Sequence, residues 1–203
     1  EFGVASWPLP ENAKSILYES NPCPFTAANV EERLLGTSLF TPKSAIVCLF
    51  PYYVEHKSPS NLSRYTWAKD YHLVINEYLK KLIEKLQIMN TDAQFSIHCD
   101  TSPLADRYMA YLAGLGFYGK NNCFISPKWG SYVMIGTILT TLELEPDTPL
   151  TQSCMGCNRC ITACLGQCLG HDEFKFDTCK SYLTQKKGEL TSEEEHIIAK
   201  TPL

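Results

Sequence analysis

No run of the ~18 uncharged apolar residues that a membrane helix requires occurs in the sequence, and no cationic, apolar leader with a small-residue cleavage site opens it. An excess of positive charge is also missing. Lys and Arg total 18 against 22 Asp and Glu, a formal net charge of −4. No global basic field therefore draws nucleic acid to the chain, and such a partner would need a local basic patch. There is no internal repeat and no low-complexity segment, which sets aside solenoids and disordered tails. An initiating methionine is absent too. The sequence begins at Glu1, inside a plausible strand over Phe2–Ser6, and stops at Leu203 just after an acidic helical stretch, so residues are expected to be missing at both ends.

What is present is a chain of 203 residues, 44% hydrophobic and 20% charged, which suits one medium domain or a domain with a small appendage. Cysteine is the residue in surplus. Five of the ten cysteines fall between Cys154 and Cys168, a crowding that favours metal binding in a reducing cytosol over a secreted disulfide framework. Cys154, Cys157, Cys160 and Cys164 are separated by two, two and three residues. That is the ligand spacing of bacterial iron–sulfur runs, in which the fourth cysteine usually serves a second cluster. A zinc site is the main rival, although structural zinc pairs are normally separated by a longer loop, and a disulfide framework is the plainer alternative. Leu165 stands where a proline commonly follows the fourth cysteine.

Ahead of the cysteines the pattern alternates strands and helices. Ser44–Phe50 is a continuous apolar run of strand length, as in a central strand buried on both faces. Residues 55–63 form a polar loop, followed by an aromatic and charged block, residues 64–72. Asp70 is a suitable N-cap for a helix to about Met89, in which Val74, Ile75, Tyr78, Leu79, Leu82, Ile83 and Leu86 repeat at helical period. Residues 94–99 form a second strand. Ser102 can then cap a helix with Pro103 at its first position, ending at Gly114 and Gly116. Asp100 thus lies where a strand turns into a helix, a place where open α/β sheets tend to keep their sites; a helix-capping role is the alternative. Gly116–Cys123 forms a tight, donor-rich loop with Asn121 and Asn122. Two further strands span 124–126 and 131–141, and 143–153 reads as a linker. A short helix over 31–35, Cys23 between two prolines, a helix start at 176–183 capped by Asp177, and a charged helix over 189–200 complete the reading.

Taken together, Asp100-Thr101-Ser102-Pro103 with Asp106-Arg107, then Ala113–Asn121, then Gly130-Ser131-Tyr132, then the cysteine run resemble the epoxyqueuosine reductase family. Arg64-Tyr65, residues 69–72 and residues 177–183 match as well, so the likeness covers roughly residues 40–190 in order, and only loosely the first 40. The resemblance implies an α+β fold: a cobalamin-binding α/β domain of nitroreductase-like and reductive-dehalogenase-like type over 1–145, followed by a ferredoxin-like domain over 146–203, truncated at its C-terminus. It implies a cytoplasmic enzyme that reduces epoxyqueuosine in the anticodon region of tRNA, using cobalamin and two [4Fe–4S] clusters, with a flavodoxin- or ferredoxin-type electron donor and no membrane partner. A related corrinoid reductase acting on a small molecule, or a non-catalytic iron–sulfur electron carrier, are the alternatives.

Carried over to this sequence, Cys154, Cys157 and Cys160 would hold one cluster and Cys164 and Cys179 the other. The family completes both from a downstream cysteine run that this sequence does not reach. Cys168 has no counterpart in that scheme and reads as a structural or spare thiol. Asp100 would be the proton donor, in a desolvated setting that raises its pKa. Arg64, Tyr65, Asp70 and Tyr71, with Asn121, Asn122 and Cys123, would line the corrin. The D-x-H-x-x-G signature of lower-face histidine ligation is missing, so His72 reads as a helix-start residue and His98 as a satisfied interior one. Arg107 and Lys120 could meet a phosphate or form ordinary salt bridges.

Overall fold

The computed structural model describes residues 1–13, 15, 16, 33, 39–55, 62–171 and 174–199. Cys23, most of the expected helix over 31–35 and the middle of the 55–63 loop lie outside the described residues.

A four-stranded antiparallel sheet forms the centre. Its strands are β1 (Phe2–Ser6), β2 (Ser44–Pro51), β3 (Phe95–His98) and, after two short strands, β6 (Val133–Thr140), in the order β1-β2-β6-β3. The run Ser44-Ala-Ile-Val-Cys-Leu builds β2 because side chains alternate between faces and both faces are covered. Ala45, Val47 and Leu49 join Leu139 of β6 in one core, with Leu104, Tyr108 and Met109. Ile46 and Cys48 join Ile138 in the other, with Ile75 and Leu79. Each large aliphatic side chain buried this way contributes about 1.5–3 kcal/mol.

The first of the flanking helices, α1 (Tyr71–Met89), begins where Asp70 accepts a hydrogen bond from the His72 amide at 2.9 Å. It lies so close to β6 that a Cβ on Gly136 would collide with Ile75. On the opposite face sits α2 (Asp106–Leu112). That helix starts later than the sequence suggests. Ser102 does not cap it; its Oγ accepts from the Leu104 amide at 3.3 Å, and Ala105 occupies the cap position without a side-chain bond. Strands β4 (Phe117–Tyr118) and β5 (Phe124–Ile125) form a separate hairpin.

The expected linker over 143–153 is partly pinned. Asp147 pairs with Val4 through its amide at 2.9 Å and its carboxylate at 2.7 Å, and the Leu144 amide donates to Ser44 Oγ at 2.9 Å. Beyond it come α3 (Arg159–Ala163), a 3-10 turn over Phe176–Thr178, α4 (Lys180–Leu183) and α5 (Ser192–Ala199). Asp177 is not the cap of α4. Cys179 takes that place, with Asp177 inside the preceding turn.

Antiparallel pairing decides where the site lies. Because β2 and β3 both run opposite to β6, their carboxyl ends and the start of β6 share one edge. Tyr52, Asp100 and Tyr132 follow or precede these strands at that edge. The sheet is antiparallel, unlike the open parallel sheets on which the expectation for Asp100 drew, yet Asp100 still falls at the end of its strand.

Candidate functional site

His98 ends β3, buried and held by Ser96 Oγ at 2.9 Å from its Nε2. Burial keeps its pKa below the ordinary histidine value. Two residues on, Asp100 takes a left-handed conformation with φ 54°, which costs an aspartate of order 1 kcal/mol and is found where a site constrains the backbone. The turn aims the carboxylate at the start of α1. Tyr71 Oη donates to Asp100 Oδ2 at 2.6 Å, and His72 Nε2 lies 3.3 Å from the same oxygen. The other ring nitrogen, Nδ1, lies 2.8 Å from Asp70 Oδ1. One aspartate thus caps the helix and, through the imidazole of the helix's second residue, reaches a second aspartate 30 positions along the chain. The hydrogen bond from Asp70 raises the pKa of His72, and His72 in turn lowers that of Asp70. Burial, followed by the bond to Asp100, raises the pKa of Tyr71.

The chain itself leaves the Asp100 side chain 62% exposed, so the desolvated setting expected for it would have to come from what binds over it. The sealed carboxyl group is Asp106. Its Oδ1 is buried without a hydrogen-bond partner among the described residues, and burial, reinforced by Asp100, raises its pKa to about 7 against the pull of Arg107 and Arg33. Position alone gave no signal of this, since a first-turn aspartate normally faces solvent and the helix dipole.

Aromatic rings extend from the acid. Tyr71 stacks on His72 at 4.0 Å between centroids and meets Tyr65 edge-on at 6.0 Å. Tyr65 meets Tyr52 at 6.1 Å, Tyr52 meets Tyr132 at 5.8 Å, and Tyr132 meets Tyr53 at 4.9 Å. The Arg64 guanidinium lies 4.6 Å over Tyr53 and donates to the Val54 carbonyl at 2.6 Å. Tyr53, Tyr65 and Tyr132 remain exposed. Four of the expected corrin-side residues, Arg64, Tyr65, Asp70 and Tyr71, are therefore brought together with Asp100. Tyr52, Tyr132 and His72 join them, although the sequence reading did not place them in the site.

The loop after β4 closes the gap to the cysteines. Arg107 donates to the Asn122 carbonyl, and Asn121 Oδ1 accepts from the Cys123 amide at 3.2 Å. Cys123 is within electrostatic reach of Tyr52 on one side and of Cys160 and Cys179 on the other. Among the described residues neither basic side chain makes the salt bridge considered for it. Lys120 Nζ donates to Asn158 Oδ1 at 2.8 Å, and the Lys120 amide donates to Cys154 Sγ at 3.3 Å. An amide aimed at a sulfur suits a thiolate that ligates metal.

All nine described cysteines are free. Cys154 and Cys157 lie in the loop before α3, shaped by Gly156 and Asn158 at φ 75° and 53°, and Cys160 lies in the first turn of α3. Cys164 lies farther along, with Cys168 Sγ 3.3 Å from its sulfur. Among the described residues no three His, Cys, Asp or Glu side chains converge in metal-holding geometry. A cubane takes four thiolates, and the thiols of this region are donors of the right chemistry for one.

Residues 36–101 match the family model described as Epoxyqueuosine reductase QueG, DUF1730. An epoxyqueuosine reductase of Lactococcus garvieae is 32% identical over 179 residues, 83% of this chain and 51% of the relative. That of Bacillus subtilis is 32% identical over 180 residues, 83% and 47%. The chain belongs to the epoxyqueuosine reductase family. It spans about half the length of the curated relatives it matches. Its mixed α/β fold is that of solved family members. The Streptococcus thermophilus enzyme superimposes with a TM-score of 0.83 at 30% identity, covering 95% of this chain and 56% of that one. An epoxyqueuosine reductase with an epoxyqueuosine-modified tRNA-Tyr stem loop gives 0.81 at 27%, covering 98% and 56%. A Bacillus subtilis structure whose catalytic aspartate loop is swung out of the active site gives 0.83 at 27%, covering 98% and 56%. Among the described residues no helix is long and apolar enough to cross a membrane.

Proposed function

We propose that the protein carrying this chain reduces epoxyqueuosine to queuosine in tRNA, with Asp100 as the proton donor. The observation that carries this reading is Asp100 itself, turned by a left-handed backbone onto Tyr71 and His72 at the end of an aromatic surface. A solved relative has a catalytic loop, named for an aspartate, swung out of its active site, and another holds the modified tRNA stem loop; both support carrying acid and substrate over to this chain.

The division of labour follows the sequence reading. Residues 1–145, nitroreductase-like, bind cofactor and substrate, and 146–203 belong to a ferredoxin-like module. Tyr65 and Tyr71 offer flat faces to a corrin, while Arg64, Asp70, Asn121, Asn122 and Cys123 offer polar contacts to its amide periphery. Cys154, Cys157 and Cys160 are ligands of one [4Fe–4S] cluster, and Cys164 and Cys179 of the second. Bound cobalamin and clusters supply the electrons that break the epoxide C–O bonds, chemistry no side chain performs.

The chain's own residues manage the proton. Deoxygenation builds negative charge on the epoxide oxygen, and a positioned acid is worth about 10²–10⁴ in rate. Tyr71 holds Asp100 Oδ2 in place. His72, whose pKa the hydrogen bond to Asp70 raises, can donate from Nε2 to Asp100 once Asp100 has given up its proton, while Asp70 holds Nδ1. The 62% exposure of Asp100 leaves the carboxyl group open to substrate, and the extruded base then excludes water from it.

The test uses the intact protein with iron, sulfide and cobalamin restored. Disappearance of epoxyqueuosine from tRNA is followed by nucleoside mass analysis. Turnover in the native protein with loss in Asp100→Asn is expected; an inert native protein with full cofactor loading overturns the assignment.

A further inference from the structure

Cys168 stands outside every ligand set assigned above, yet it is the buried thiol of the cysteine region, 3% exposed. Its sulfur lies 3.3 Å from Cys164 Sγ, and Cys179 is its other thiol neighbour. The backbone fixes the pair. The Gln167 amide donates to the Cys164 carbonyl at 3.0 Å, with Gln167 at φ 46°. Gly166 packs on the Thr178 carbonyl with no room for a Cβ. The chain therefore closes a tight turn over 164–167 with one thiol at its first residue and another just after its last, clamped on the segment that leads to Cys179. Sulfurs 3.3 Å apart are in van der Waals contact, and a disulfide needs ~2.05 Å, a closure that side-chain torsions can supply.

We propose that Cys164 and Cys168 form a reversible disulfide whenever the cysteine region is free of metal. The oxidant is a low-molecular-weight disulfide. Cys164, half-buried and the more accessible of the two, attacks one sulfur of that reagent, forming a mixed disulfide and releasing one small thiol. Cys168 Sγ then attacks Cys164 Sγ and expels the second. Two cysteine thiols and one small disulfide become one protein disulfide and two small thiols. Two electrons pass to the reagent, and both protons leave on the released thiols. While the bond exists, Cys164 is withdrawn from ligation. The pair thus guards the empty region against irreversible oxidation, and its reduction becomes a condition for loading. The disulfide itself stands apart from the function proposed above, while its effect on loading rests on the ligand role given there to Cys164.

The intact protein, freed of metal under anaerobic chelation, is treated with oxidised glutathione, blocked with iodoacetamide and digested with trypsin. Cleavage after Arg159, Lys175 and Lys180 puts Cys160, Cys164 and Cys168 in peptide 160–175 and Cys179 in peptide 176–180. Expected is peptide 160–175 alkylated on Cys160 alone and lighter by about 2 Da than a dithiol, restored to three alkyl groups after reduction. Three alkyl groups without reduction, a link to peptide 176–180, or a link through Cys160 each overturn the proposal. Cys168→Ala is expected to trap glutathione on Cys164, and a variant without that adduct overturns the order of attack. The native map decides alone if the variant does not fold.

Discussion

Residues 44–51 and 133–140 are covered on both sides by helices, whereas the region from Cys154 to Ala199 buries only Cys168 and Leu183 among its described residues. The first region can hold a polar site with apolar packing alone: β2 and β3 are both paired to β6, and the left-handed Asp100 turn follows directly on β3. The second has too thin an apolar core to be fixed by burial, so its order must come from what its thiols bind or from the ties that reach it. A chain built this way separates where the proton is held from where electrons enter. Among the described residues, the hydrogen bonds that join the two come from the 119–123 loop.

The comparison is broken most directly at the acid. Asp100→Asn should lower queuosine formation about 10³-fold, about 4 kcal/mol of transition-state stabilisation, while leaving the urea midpoint unchanged because the side chain is exposed. A rate within tenfold of the native protein would remove Asp100 from the chemistry. Stability should respond in the opposite places. Ile138→Ala, fully buried between β2 and α1, is expected to cost about 3–4 kcal/mol in urea unfolding. Leu183→Ala should cost about 2 kcal/mol and mostly in a separate, earlier transition. Equal losses in one transition would mean that the two regions fold as one.

The sheet was legible in the sequence for the same reason that it is stable. The unbroken apolar run 44–50 has only one way to hide both faces, and α1 carries its cap and its period openly, from Asp70 to Met89. The start of α2 differs because Ser102-Pro103 has the local chemistry of a helix entry, but Ser102 Oγ accepts from the Leu104 amide and the helix begins only at Asp106. Tyr52, Tyr132 and His72 were missed as site members because pairing of β2 with β6 and the exit of β3, neither of them local, bring them to one edge. The cysteine spacing was legible as ligand chemistry. The neighbourhood of Cys168 was not, since it depends on how the 164–168 turn packs on Thr178.

The two aspartates of the 100–106 segment sharpen the contrast within the first region. With a folded pKa of about 7 against an ordinary 3.8, Asp106 keeps a proton in the folded chain that the unfolded chain has already released between about pH 4 and 7. Its contribution to stability is therefore fully present below pH 4 and is lost as pH rises to 7. Asp106→Asn should flatten that slope and stabilise the chain by about 2 kcal/mol at pH 8, with little effect at pH 4. Urea midpoints across the range measure it, and an unchanged slope would show that Asp106 is charged in the folded state.

The smallest effect is expected at the tie between the regions. Lys120 reaches the cysteine loop twice, by its amide to Cys154 Sγ and by its ammonium to Asn158 Oδ1. Both bonds are exposed, so the side-chain bond is worth about 0.5 kcal/mol. Lys120→Met deletes the ammonium but keeps the amide. If the amide is what seats the Cys154 thiol, hydrogen exchange across 154–160 should rise no more than about threefold, with the sheet unaffected. If instead the ammonium holds the loop, exchange there should approach that of a free coil, and the two regions would be joined by a side chain and not by the backbone of the 119–123 turn.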